Sequence, residues 1–264
     1  GPTQALELLG LLISNVEGNR GMSLTRKRRD ETVAMLDDWL LRRRELRAAR
    51  GANPLELARL LGKLVFASQV VWNGRPYMQA MLSCFAGCSV DWKRGTVEFD
   101  GVKSRTVQLG AGFWRDIEWW RDHVVERYSM PFGETEEAEA VISGTDASGW
   151  GTGQLAWLDG AREEAVLAFT QAEQRRPINW RELLGVVRVV QIFGPRLEGR
   201  LLLLETDNMA AKGAAAKRSS KATDMQELVR RLVDVCEQHR IRLRLTHTPG
   251  AKLDRPDQTS RGDP

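Results

Sequence analysis

Two apolar rhythms divide the chain. Up to about residue 133 apolar positions recur mostly at helical spacing; from residue 141 short apolar runs alternate with helical stretches. The run from Gln4 to Val16 predicts a strand over Leu11–Val16, followed by a turn at Glu17–Gly21. Ser23 is placed to cap a helix reaching about Ala49, with Val33, Leu36, Leu40 and Arg43 along one face. Gly51 interrupts the chain. Asn53-Pro54-Leu55-Glu56 then offers an N-cap, a proline at the first helical position and the glutamate of a capping box. The helix it starts, to about Val71, presents Leu57, Leu60, Leu61, Leu64 and Val71 to a core. A turn at Asn73–Pro76 leads to a helix over Tyr77–Phe85, then a polar, hairpin-like region over Val90–Leu109. A tryptophan-rich helix follows over Phe113–Arg127. This predicts a mainly helical unit over 1–133, an acidic linker containing proline and glycine nearby (134–140), and a second unit over 141–264.

The second unit reads as strands at 141–147, 153–158 and 164–169, a helix at about 180–193 and a strand at 200–206. Helices at about 208–216 and 223–239 and a strand at 241–247 complete it. That succession predicts an α/β fold, a mixed sheet with helices on its faces. The run Leu201–Leu204 is continuously apolar, as expected of an interior strand covered on both sides.

Composition narrows the function. The chain has 264 residues, 42% of them hydrophobic, enough for a real core. No run of about 18 apolar residues predicts a membrane span, and the N-terminus has no basic region leading into an apolar one. Gly1-Pro2 reads as a remnant of tag cleavage, so the natural start is expected elsewhere. Cys84, Cys88 and Cys236 lack metal-ligand spacing and fit a reducing intracellular compartment, cytoplasm or nucleus. A net charge of +4 leans weakly toward a polyanionic partner.

The candidate chemistry is acidic. Val141–Gly153 ends a buried strand in Thr145-Asp146 and turns back through glycines; Leu201–Asp207 repeats the Thr-Asp ending. A carboxylate beside a buried strand is costly unless something pairs with it. Glu182 lies on the same stripe as Val186, Val189 and Phe193, and Asp257 follows the last strand after a Pro-Gly turn. Four acids delivered to one sheet end suit hard divalent cations, which take oxygen ligands. Two such ions about 4 Å apart hydrolyse a phosphodiester. A plainer account stands beside this one. Asp146 starts a turn, Asp207 caps the next helix, Asn179 and Glu182 form a capping box, and Asp257 caps a short helix, with Asp254 competing for that place. The basic clusters Arg26-Lys27-Arg28-Arg29 and Arg42-Arg43-Arg44 are placed on one predicted helix, about 24 Å apart at 1.5 Å per residue. They meet the phosphates of a nucleic acid, or they are a solvated face offset by Asp30, Glu31, Asp37, Asp38 and Glu45.

Thr145-Asp-Ala-Ser148, Asn179-Trp-Arg-Glu-Leu183, Thr206-Asp-Asn208, His247-Thr-Pro-Gly250 and Asp257-x-x-Ser-Arg261 resemble the ribonuclease H domain of retroelement reverse transcriptases, gypsy-type or DIRS-type. Leu8–Ile13 resembles the last palm motif; Leu61–Val71 with Gly74-Arg-Pro76 resembles thumb and connection. The resemblance implies a ribonuclease H-like sheet and metal-dependent cleavage of the RNA strand of an RNA–DNA hybrid. It also implies Asp146, Glu182, Asp207 and Asp257 as catalytic metal ligands, two Mg2+ ions with Mn2+ able to substitute, and the remaining fingers and palm as partner. Asn179 and Asn208 are then candidates for contacts to the RNA strand, whose 2′-hydroxyl distinguishes it from DNA. No Tyr-x-Asp-Asp motif is present, which predicts no polymerisation by this chain alone. The histidine-bearing loop some relatives use near the last acid is also absent. The alternatives are a catalytically inactive or domesticated module that binds nucleic acid or a protein partner, and a DNA-cutting relative such as an integrase or junction resolvase.

Overall fold

The computed structural model describes residues 4–16, 19–71, 73–126, 129–131 and 140–249. Its contacts divide the chain into Gly1–Glu134 and Thr135–Pro264.

The first unit has more strand than expected. Strands β1 (Ala5–Leu8), β2 (Leu11–Val16), β3 (Asn19–Leu24) and β7 (Ser129–Pro131) form one antiparallel sheet. Strands β4 (Ser89–Asp91), β5 (Thr96–Phe99) and β6 (Val102–Ser104) form another in the hairpin-like region. Its helices are α1 (Arg26–Leu41), α2 (Arg43–Ala48), α3 (Pro54–Ala67), α4 (Gln79–Ser83) and α5 (Ala111–Glu126). The single helix expected from Ser23 to Ala49 is two helices: Thr25, not Ser23, caps α1, and Arg42 (ψ 2°) interrupts the run. The Asn53 side chain caps α3 by accepting from the Leu55 N–H at 2.8 Å, and Leu57, Leu60, Leu61 and Leu64 are buried. Glu56 pairs with Arg42. The tryptophans of α5 explain their number: Trp114 and Trp120 are core residues, and Trp119 stacks on Tyr77 at 4.0 Å.

The second unit is a five-stranded sheet in the order β10-β9-β8-β11-β12. Its members are β8 (Ala140–Ala147), β9 (Gly151–Leu158), β10 (Ala161–Ala168), β11 (Leu201–Thr206) and β12 (Arg242–His247). β8, β9 and β10 are antiparallel neighbours, whereas β8, β11 and β12 run parallel. Helices α6 (Gln171–Gln174), α7 (Ile178–Phe193), α8 (Met209–Lys217) and α9 (Thr223–Gln238) complete it. This is the mixed α/β sheet with flanking helices that the resemblance implied. One expectation fails: along β11 buried and half-buried residues alternate, so only one face is fully covered. A two-residue turn, Asp159-Gly160, joins β9 to β10 with both φ angles positive, as a right-twisting hairpin requires.

Helix α7 lies close on β8 and β9. A Cβ at Gly185 would sit 2.6 Å from the Thr145 Oγ1 and 3.5 Å from the Thr152 Cγ2, so only glycine permits this approach. The strand face beneath is polar and largely bonded. The Ser143 and Thr145 hydroxyls donate to the carbonyls of Leu155 (2.6 Å) and Gly153 (3.0 Å). Buried Arg188 of α7 donates to the Thr152 Oγ1 and the Leu167 carbonyl, both at 2.8 Å, and pairs with Glu173 at 3.3 Å. In an open helix, alanine would favour the fold by about 1 kcal/mol over glycine. Here the overlap reverses the sign: Gly185→Ala is expected to destabilise by about 1–3 kcal/mol in denaturant unfolding. Unchanged or raised stability would mean that α7 has room to lift off the sheet.

Candidate metal centre

The parallel register of β8 and β11 runs from Leu201 beside Ala140 to Glu205 beside Gly144. Carried two residues further, it sets Asp207 level with Asp146, on chains about 4.8 Å apart. Asp146 lies within β8, opposite Gly153, which has no side chain to crowd it. Glu182 comes from the first turns of α7, brought down by the approach at Gly185. One carboxylate oxygen from each of Asp146, Glu182 and Asp207 lies within 4.8 Å of the other two.

For Asp207 and Glu182 the plainer account does not hold. Asn208, not Asp207, caps α8, its Oδ1 accepting from the Ala211 N–H at 2.9 Å. Pro177 occupies the N-cap position of α7, so Asn179 is already inside the helix and Glu182 is not its capping partner. A capping box does exist, but at Thr170 and Glu173 of α6. The turn after β8 is closed by Ser148, whose Oγ accepts from the N–H groups of Trp150 (3.3 Å) and Gly151 (3.2 Å).

Glu182 is only 4% exposed. It accepts a hydrogen bond from the Ala147 N–H, while its Oε2 is buried without a partner. Burial first, then the Asp146 and Asp207 carboxylates, push Glu182 up to about 8; the Ala147 N–H and Arg181 act in the opposite direction. Three acids crowded together, one with an orphaned buried oxygen, fit a hard divalent cation, which would satisfy that oxygen and neutralise the mutual repulsion. The donor set is all oxygen, which disfavours the softer metals that prefer thiolate or imidazole.

Asp257 and Asp254 lie outside the described residues. His247 ends β12, level with Thr206 on β11. Asn179 and Asn208 are joined, the Asn208 Nδ2 donating to the Asn179 Oδ1 at 3.0 Å. The basic clusters of the first unit are largely engaged with acids. Arg26 and Arg29 meet Asp30, Arg28 meets Glu31, Arg42 meets Asp38 and Glu56, and Arg43 meets Glu118. Lys27 and Arg44 are exposed. Sequence reasoning passed over Arg181, whose guanidinium reaches the turn after β8. Its place directly before Glu182 was the available signal.

No protein-family model matches the chain, and no curated protein does. Solved structures do. The chain is similar to RNase H1 from the halophilic archaeon Halobacterium salinarum, at 14% identity over 47% of this chain and 95% of that one, TM-score 0.38. It is similar to the N-terminal RNase H domain of a Mycobacterium tuberculosis protein, at 16% identity over 47% and 97%, TM-score 0.40. It is also similar to foamy viral protease-reverse transcriptase in complex with dsDNA, at 13% identity over 93% of this chain but 45% of that one, TM-score 0.35. The chain thus spans less than half the length of the viral protein. No helix among the described residues is long and apolar enough to cross a membrane.

The raised Glu182 carboxyl has a consequence for stability. Its folded value, about 8, exceeds the ordinary 4.5, so the folded state binds the proton more tightly. The stabilisation is complete below about 4.5 and is lost as pH rises through about 8. For a shift of this size the full effect is at most roughly 5 kcal/mol. Metal-free protein is therefore expected to weaken in urea between pH 5 and pH 9. Glu182→Gln should flatten that slope, and Mg2+ should oppose it. Parallel stability profiles for parent and variant would show that Glu182 is not strained by its neighbours.

Proposed function

We propose that this chain is a metal-dependent nuclease that cuts the RNA strand of RNA–DNA hybrids, as the ribonuclease H part of a reverse transcriptase of the gypsy or DIRS type. The observation that carries the reading is the meeting of Asp146, Glu182 and Asp207 within 4.8 Å, with the Glu182 Oε2 buried and unpartnered. Asp146 and Asp207 would hold the cations from the sheet and Glu182 from α7, with Asp257 as fourth ligand. Divalent cations bound there, two Mg2+ in this reading, would activate water and offset the negative charge that builds on the phosphate.

The chain's own residues set the substrate. Ala211 N–H engages the Asn208 Oδ1, and the Asn208 Nδ2 engages the Asn179 Oδ1. This relay engages both ends of the Asn208 amide and leaves exposed Asn179 the better candidate for a contact to a 2′-hydroxyl. Asn208 then orients Asn179 rather than reading RNA itself. The preference for a hybrid over duplex DNA is supported by the Asn179–Leu183 and Thr206–Asn208 motifs. In this reading 1–133 is the thumb and connection of the same reverse transcriptase, and its fingers and palm are the partner. Ion pairing lowers the phosphate-binding capacity first assigned to the two arginine clusters, leaving Lys27 and Arg44 the better candidates.

The test is incubation with labelled hybrid, duplex DNA and duplex RNA in the presence of Mg2+. Cleavage confined to the RNA of the hybrid is expected. Cutting of duplex DNA, or binding without cutting, would favour the resolvase-like or the inactive alternative. Asp207→Asn should lower hybrid cleavage at least a hundredfold while hybrid affinity stays within about threefold, because a neutral amide is a poor ligand for a hard cation. Activity within tenfold of the parent would remove Asp207 from the site.

A further inference from the structure

We infer that Arg181 is a positioning residue for this site, a bracket from α7 that holds the turn after β8 and so keeps the Ala147 N–H and the Asp146 carboxylate in register with Glu182. The inference rests on the proposed nuclease reading. Arg181 precedes Glu182, and the two side chains divide the work: Glu182 enters the acidic cluster, while Arg181 reaches the turn. Its Nη1 donates to the carbonyls of Ser148 at 2.9 Å and Gly149 at 3.3 Å. Those two residues directly follow Ala147, whose N–H holds Glu182.

The guanidinium is seated and not merely near. It lies 5.6 Å from the centroid of the Phe169 ring, and Arg188 lies 5.2 Å from the same ring. Phe169 is buried, and its N–H donates to the Trp150 carbonyl, in the same turn, at 2.7 Å. The Arg181 Nε is buried without a partner, a desolvation cost accepted to hold this pose. The turn is closed within itself by Ser148. Arg181 and Phe169 tie it down from two elements, α7 and the segment after β10. Without Arg181 the carbonyls of Ser148 and Gly149 lose their side-chain tie to α7. The turn directly follows Ala147, whose N–H holds Glu182.

A positioning role differs from a phosphate contact in what its loss changes. In full-length Arg181→Ala, the kcat for hybrid cleavage is expected to fall at least tenfold, with KM within threefold. Amide hydrogen exchange at Ala147, followed by NMR in metal-free protein, should accelerate at least tenfold. Free guanidinium ion should restore part of the kcat, and Arg181→Lys should lie between variant and parent. A kcat within threefold of the parent overturns the inference. So does a rise in KM equal to the loss of kcat, which would make Arg181 a substrate contact, and so does unchanged exchange at Ala147. If the parent itself does not cleave hybrid, the nuclease reading fails, and exchange at Ala147 alone still decides whether Arg181 holds the turn. If Arg181→Ala does not fold, Arg181→Gln decides by the same kcat and exchange criteria.

Discussion

Everything at the candidate site depends on one packing constraint, the contact of α7 with β8 at Gly185. A parallel pair of strands sets two aspartates level with each other, but two carboxylates at the end of a sheet are only a surface feature. The third must come from a different layer. The 2.6 Å separation between a notional Cβ at Gly185 and the Thr145 Oγ1 shows how little space is left between helix and sheet. One turn earlier on that helix, the same closeness drives Glu182 into contact with Asp146 and Asp207. It also buries Glu182 enough that its ionised form is disfavoured without a cation.

Close packing of this kind is usually apolar, yet Ser143, Thr145, Thr152 and Gln154 of the sheet and Arg188 of α7 are buried here. Their hydroxyls and guanidinium bond to strand carbonyls and to one another, which stiffens the seam between layers where an apolar seam would slide. Arg188 extends that network to Glu173 and Phe169, and Phe169 carries it to Arg181 and the turn after β8. The acidic site is thus backed by a largely polar seam, with the Phe169 ring linking Arg188 to Arg181.

Much of the second unit was legible because its apolar runs are short, clearly separated and match strand and helix lengths. The positions of Asp146, Asp207 and Glu182 on their elements followed from those runs. What was not legible depended on contacts between distant residues. Whether Asp207 or Asn208 caps α8 turns on which side chain reaches the Ala211 N–H, and periodicity is silent on that. Pro177 at the start of α7 displaced the capping box expected at Asn179, although proline at a helix start is itself a local signal. In the first unit, the strands β1 and β3 escaped notice because Ala5–Leu8 and Asn19–Leu24 lack clear alternation. The long helix broke at Arg42, where no glycine or proline marks the break. For the basic clusters the offset by Asp30, Glu31 and Asp38 was legible in the sequence, whereas Glu56 and Glu118, which come from other helices, were not.

The most direct test of the account is anomalous diffraction from crystals of the protein soaked in Mn2+. The account predicts a manganese peak coordinated by Asp146, Glu182 and Asp207, with the Glu182 Oε2 as one of its ligands. A soak that leaves these three carboxylates without a peak, while manganese binds elsewhere on the protein, would contradict it.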